Sequence, residues 1–210
     1  SELKLAELDL ANNQQLCSLD CGENEISELD LSSTSHLKYL ACPGNPIAFL
    51  DLSSVPNLRL LDCSKIAATS LNFVMTPKLR WLTCGDLTFG SLKLDSLIEL
   101  RTLLCPRCEL SELDLSKNKK LVVLVCYDNQ LRELDLSELP ELRYLQCENN
   151  PFSKLDLSYS MNLKSIKCDS GKFEIVGREG RFDNWREDIV RPPVRLVDGG
   201  PEKPWSWRKS

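Results

Sequence analysis

Leu121-Val122-Val123-Leu124-Val125-Cys126-Tyr127-Asp128-Asn129-Gln130-Leu131-Arg132-Glu133-Leu134-Asp135-Leu136-Ser137 reads as one apolar phrase followed by a second. In Leu121–Cys126 the leucines and the cysteine suit inward positions. The second, third and fifth residues then face outward along a short strand, because successive strand side chains point to opposite faces. Leu131, Leu134 and Leu136 repeat that spacing about ten residues later. This predicts a second extended segment on the opposite side and almost no helix, since so short a stretch cannot hold both a long helix and its turns. Aligned copies give L-x-x-L-x-C-x-x-N-x-L-x-x-L-D-L-S-x-x-x-x, opening at Leu16, Leu37, Leu58, Leu79, Leu100, Leu121 and Leu142. Cys21, Cys42, Cys63, Cys84, Cys105, Cys126, Cys147 and Cys168 recur at that 21-residue step. A fixed period of this size is the mark of a solenoid, in which each coil is stable only through its neighbours. Residues 1–173 are expected to form about eight such coils, and 174–210 a C-terminal cap and a tail containing Pro and Trp.

The phrase resembles the leucine-rich repeat family, whose signature is L-x-x-L-x-L-x-x-N/C-x-L. The 21-residue length and the L-D-L-S second half are similar to its short bacterial subclass, the IRREKO-type repeats. The resemblance implies a mainly β repeat solenoid, a right-handed coil with a parallel sheet on the concave face. It also implies a bacterial recognition protein that is secreted or displayed at the cell surface.

Composition narrows the function. Lys and Arg number 26 against 31 Asp and Glu, a net charge of −5, so no bulk electrostatic drive toward nucleic acid follows. No run approaches the ~18 apolar residues of a membrane helix. The chain opens inside a repeat at Ser1, the expectation for a fragment or a processed product. With His36 as its one histidine and no G-x-S-x-G or phosphate loop, the sequence assembles no nucleophile, base and orienting group. A non-enzymatic protein without cofactor or metal is expected.

The cysteines read as buried free thiols. Cysteines on successive coils repeat at about 4.8 Å, whereas a disulfide wants Cβ atoms near ~3.8 Å. Cys105-Pro106-Arg107-Cys108 is a C-x-x-C, but structural zinc needs four ligands and no second pair exists. Cys108 takes the asparagine slot of its repeat, and Cys17 falls on an outward position. Asn24, Asn45, Asn129 and Asn150 share the ninth position, where an inward amide can bond backbone groups at the bend. The aspartates of L-D-L-S, namely Asp9, Asp30, Asp51, Asp114, Asp135 and Asp156, read as a solvated face that caps turns, in preference to a calcium strip.

Regularity breaks in the middle. The ninth position becomes Ile66, Leu87 and Cys108, and L-D-L-S becomes Leu71-Asn72-Phe73-Val74 and Leu92-Lys93-Leu94-Asp95. Outward third positions read Ser18, Tyr39, Leu60, Trp81, Thr102, Val123, Tyr144 and Ser165, with Leu104 and Val125 at the fifth position extending the apolar stripe. Second positions carry Lys38, Arg59, Arg80, Arg101, Arg143 and Lys164. An apolar stripe aimed at solvent and flanked by cations suits a protein partner with acidic and apolar groups. The candidate binding residues are Tyr39, Leu60, Trp81, Val123, Tyr144, Arg59, Arg80 and Arg101, with Trp81 at the centre, on a chain expected to be monomeric. One alternative is the targeting part of a larger secreted effector. Another is a carbohydrate-binding surface on which Trp81, Tyr39 and Tyr144 stack against sugar rings. Beyond Phe173, Phe182–Val190 could cover the last coil, with Asp183 as a possible N-cap, while 201–210 reads as an extended tail or a link.

Overall fold

The computed structural model describes residues 4–169 and 174–177. Its main element is one parallel sheet built from a three-residue strand per coil. The strands are β1 (Ser18–Asp20), β2 (Tyr39–Ala41), β3 (Leu60–Asp62), β4 (Trp81–Thr83), β5 (Thr102–Leu104), β6 (Val123–Val125), β7 (Tyr144–Gln146) and β9 (Ser165–Lys167). They lie side by side in chain order, and the 21-residue period sets the register: Leu19 pairs with Leu40, Leu40 with Leu61, Leu61 with Leu82. Among the described residues there is no helix. The fold is a β-solenoid of the leucine-rich repeat type, as the period implies.

Each coil turns twice after its L-D-L. The Leu31 carbonyl accepts from the Thr34 N–H at 3.0 Å and the Thr34 carbonyl from the Leu37 N–H at 2.9 Å; the same pair recurs at Phe73–Thr76–Leu79 and Leu115–Asn118–Leu121. The L-D-L aspartate fixes the entry to that bend. Its Oδ1 accepts the N–H two residues on, from Asp30 to Ser32 (2.8 Å), Asp51 to Ser53 (2.8 Å), Asp114 to Ser116 (2.9 Å) and Asp135 to Ser137 (2.8 Å). These hydrogen bonds hold the four carboxyls below their ordinary range, and Asp156 likewise. The turn-capping role read from the sequence is therefore the observed one.

The opposite side is extended, as expected, yet among the described residues it pairs as regular strand only where β8 (Lys154–Asp156) meets β10 (Glu174–Val176). Elsewhere among the described residues the second segments stack without a regular ladder. β10 carries the second face past residue 173. The expected cap at Phe182–Val190 and the tail at 201–210 lie outside the described residues.

The core is a column of leucines closed by the cysteine and asparagine ladders. Leu37, Leu58, Leu79, Leu100, Leu121 and Leu142 are all 0% exposed. All ten cysteines are unpaired and eight are buried, Cys17 being exposed and Cys168 half-buried. Burial pushes the ladder thiols up, Cys21 to about 11, so they remain protonated small hydrophobes. Asn129 shows the second ladder's chemistry. Its Nδ2 donates to the Cys105 and Cys126 carbonyls at 3.0 and 2.9 Å, and its Oδ1 accepts from the Cys108 and Leu110 N–H groups, both at 3.0 Å. One amide thus joins two coils, and Asn45 and Asn150 repeat the pattern. Cys108 acts as a reduced version of it, its Sγ donating to the Cys84 carbonyl at 3.0 Å.

Candidate functional site

The residue before each ninth position is left-handed, and this aims the seventh and eighth side chains along the rim of the sheet. Glu23, Lys65, Asp86, Arg107, Asp128 and Asn149 all sit at φ between 54 and 61°, with glycine only at Gly44. Non-glycine residues in this region are uncommon, and their recurrence coil after coil marks a bend that persists where the ninth position is Ile66, Leu87 or Cys108 instead of an amide.

On the sheet's outer face a second apolar cluster forms, separate from the core: Tyr39, Leu60, Trp81, Leu104 and Val125, with Val123 and Tyr127 packed against it. Tyr39, Leu60 and Trp81 are only 3–4% exposed. The reading that they face open solvent is corrected here. Large side chains on strands about 4.8 Å apart lie against one another, and the Trp81 Nε1 donates to the Thr83 Oγ1 at 2.8 Å, laying the indole toward the fifth-position column. Val123 and Tyr144 remain half-buried, and so more accessible. The structure thus brings Tyr39, Leu60, Trp81 and Val123 into one cluster, with Tyr144 next to Val123 across the β6–β7 pairing.

The basic row splits similarly. Arg59 and Arg80 are half-buried, whereas Arg101, Arg143 and Lys164 are exposed. Arg80 and Arg101 lie near Glu99, whose carboxyl is held low by the Lys120 hydrogen bond (2.5 Å) and, more weakly, by these cations. The opposite margin of the face begins acidic, at Asp20 and Asp62. Asp62 is buried, and desolvation raises its carboxyl even though the Ser64 N–H (3.1 Å) and Oγ (2.9 Å) donate to it.

The sequence reading did not include Tyr127, Arg107 and Asp86. Arg107 grips Asp86 with two bonds (Nε–Oδ1 2.5 Å, Nη2–Oδ2 2.9 Å), donates from Nη1 to the Tyr127 hydroxyl at 2.9 Å, and lies 5.4 Å from that ring's centre. Asp86 is held low chiefly by the Arg107 hydrogen bond. The clamp fixes an aromatic edge beside the apolar cluster. Its signal was present in the alternating signs of the eighth position, Lys65, Asp86, Arg107 and Asp128. Among the described residues no group of three or more His, Cys, Asp or Glu side chains is placed to hold a metal.

Solved structures with the same architecture are numerous. The functional domain of InlJ from Listeria monocytogenes, described as including a cysteine ladder, superposes with a TM-score of 0.69 at 28% identity, over 81% of this chain and 43% of its own. The chain is a leucine-rich repeat solenoid. The leucine-rich repeat protein LIC12759 of Leptospira interrogans matches with a TM-score of 0.74 at 22% identity, over 82% of this chain and 47% of its own. YopM of Yersinia enterocolitica gives 0.63 at 25%, over 74% and 33%. The leucine-rich repeat chain therefore spans less than half the length of each of these structures. No family model matches the sequence, and no curated protein does either. Among the described residues no helix is long and apolar enough to cross a membrane.

Proposed function

We propose that this leucine-rich repeat chain is a non-enzymatic recognition module that holds a protein partner on its concave sheet. The observation that carries the reading is the second apolar cluster, formed on the side of the sheet turned away from the core. Its accessible end, Val123 and Tyr127, lies beside Tyr144 and the exposed cations Arg101 and Arg143. Tyr and Arg are among the side chains that most often anchor interfaces. Tyr39, Leu60 and Trp81 then serve as the packed base of the site, and its centre moves from Trp81 toward Val123 and Tyr144. Arg59 and Arg80 flank the base, and Arg101 the accessible end.

This arrangement favours protein over carbohydrate. Stacking on a sugar needs open ring faces, and of the three aromatic residues Tyr39 and Trp81 are each 4% exposed, which leaves Tyr144 as the single accessible ring. The module fits a monomer and also fits the targeting part of a larger secreted effector. The test is affinity capture of partners by the parent protein, by Tyr144→Ala and by Asp135→Ala, alongside a glycan array. The reading expects Tyr144→Ala to lose a partner that Asp135→Ala retains. Glycan binding without a protein partner would overturn it.

A further inference from the structure

The face opposite the sheet carries its own discontinuity, at the coils where L-D-L-S breaks down. In the regular coils its thirteenth and fifteenth positions are mostly acidic and exposed: Glu28 and Asp30 in the Cys21 coil, Glu112 and Asp114 in the Cys105 coil, Glu133 and Asp135 in the Cys126 coil. Between the first two pairs the positions read Phe49 and Asp51, Ser70 and Asn72, Ser91 and Lys93. Large apolar side chains emerge there instead: Phe49 is 75% exposed, Val74 66%, Ile98 55% and Met75 51%.

The backbone beneath is not damaged by the change. Asn72 Oδ1 accepts the Val74 N–H at 3.0 Å, keeping the turn that aspartate makes elsewhere while removing its charge. At the next coil Lys93 offers no such acceptor, yet the Leu97 and Leu100 N–H groups still donate to the Leu94 and Leu97 carbonyls at 2.9 and 3.1 Å, so the turn persists while the surface chemistry changes. The apolar residues also share relief. Phe49, Leu71 and Met75 line one depression of about 180 Å³, and Leu71, Val74 and Lys93 line an adjoining one of about 380 Å³; Leu71 and Asn72 belong to both. Asp51 and Asp95 stand on their walls, Lys93 being the cation among them.

We infer that this window is a second docking site, for an extended segment of a partner protein with an apolar centre and cationic ends. Exposed apolar area of this kind is unusual without an occupant. Charge complementarity selects the ends: the carboxylate pairs Glu28/Asp30 and Glu112/Asp114 are four coils apart, about 19 Å at the strand spacing. An extended chain covers that distance in about six residues. Met75 and Phe49 supply an adaptable surface between them.

The probe is a fluorescein-labelled synthetic peptide with two lysines at each end of an apolar centre of about four residues, read by anisotropy against the full chain. Its isomer with aspartates at the ends is the charge control. The inference expects the lysine probe to bind, to weaken as salt rises, and to bind at least about tenfold more weakly to Phe49→Ser/Met75→Ser. Tyr144→Ala should bind it like the parent, so the window and the concave site stand or fall separately. Absence of lysine-probe binding overturns the inference. So does equal binding of the aspartate isomer, or equal binding to the double variant. Concentration-dependent self-association in sedimentation, abolished by Phe49→Ser/Met75→Ser, overturns it in favour of a second copy of this chain.

Discussion

Replacing Asn129 by alanine removes an amide that is 7% exposed and bonded in five places. The Cys105 and Cys126 carbonyls and the Cys108 and Leu110 N–H groups lose their partner inside the core, with little room for water. A net hydrogen bond is worth about 1 kcal/mol, and a stranded buried group costs about 1–3 kcal/mol. Partial relaxation at the rim lowers the sum, which gives an expected loss of about 3–5 kcal/mol, a large share of a typical stability of about 5–15 kcal/mol. Urea unfolding followed by circular dichroism measures it. Cys108 supplies the internal control, because a thiol already fills this slot one coil earlier and donates to the Cys84 carbonyl. Asn129→Cys should therefore recover part of what Asn129→Ala loses. A loss below about 1 kcal/mol for Asn129→Ala, or equal loss for both variants, would refute the view that the asparagine ladder ties coil to coil.

Trp81→Ala should lower stability by about 3 kcal/mol or more, since the indole is buried in the outer cluster; differential scanning calorimetry that finds an unchanged melting temperature contradicts that packing. Thiol labelling of the native protein should modify Cys17 quickly and Cys168 more slowly, and leave the eight buried cysteines untouched until denaturant is added. Asp62→Asn should stabilise the protein at neutral pH, because a carboxyl whose folded pKa is raised favours folding less once it ionises. That advantage should shrink as pH falls through the raised value toward the ordinary carboxylate range near ~3.9, and a difference constant with pH would show that burial does not penalise the charge.

The register of the sheet was legible to the residue, because a parallel solenoid has no freedom to slip when every coil is 21 residues long. The roles of Asn45, Asn129 and the L-D-L aspartates were legible too, each being decided by neighbours within its own repeat or the next. Exposure was not. Whether Trp81 is open depends on Leu60, one coil earlier, and on Thr83, two residues along the same strand, and in-and-out alternation does not encode how far either reaches across it. The Arg107–Asp86–Tyr127 clamp stayed hidden for a related reason, since it depends on a left-handed backbone at the eighth position. The pairing of β8 with β10 was not legible either, because Asp156 accepts the Ser158 N–H as the other L-D-L aspartates accept theirs, and nothing in that repeat distinguishes the Leu157 N–H that donates to the Val176 carbonyl.

The central claim, recognition on the concave face, is tested most directly by titrating an identified partner against the parent, Tyr144→Ala and Asp135→Ala in a calorimeter. The account predicts that Tyr144→Ala weakens binding by about thirtyfold, equivalent to the ~2 kcal/mol of an interface anchor, while Asp135→Ala matches the parent. Equal affinity for the two variants contradicts it.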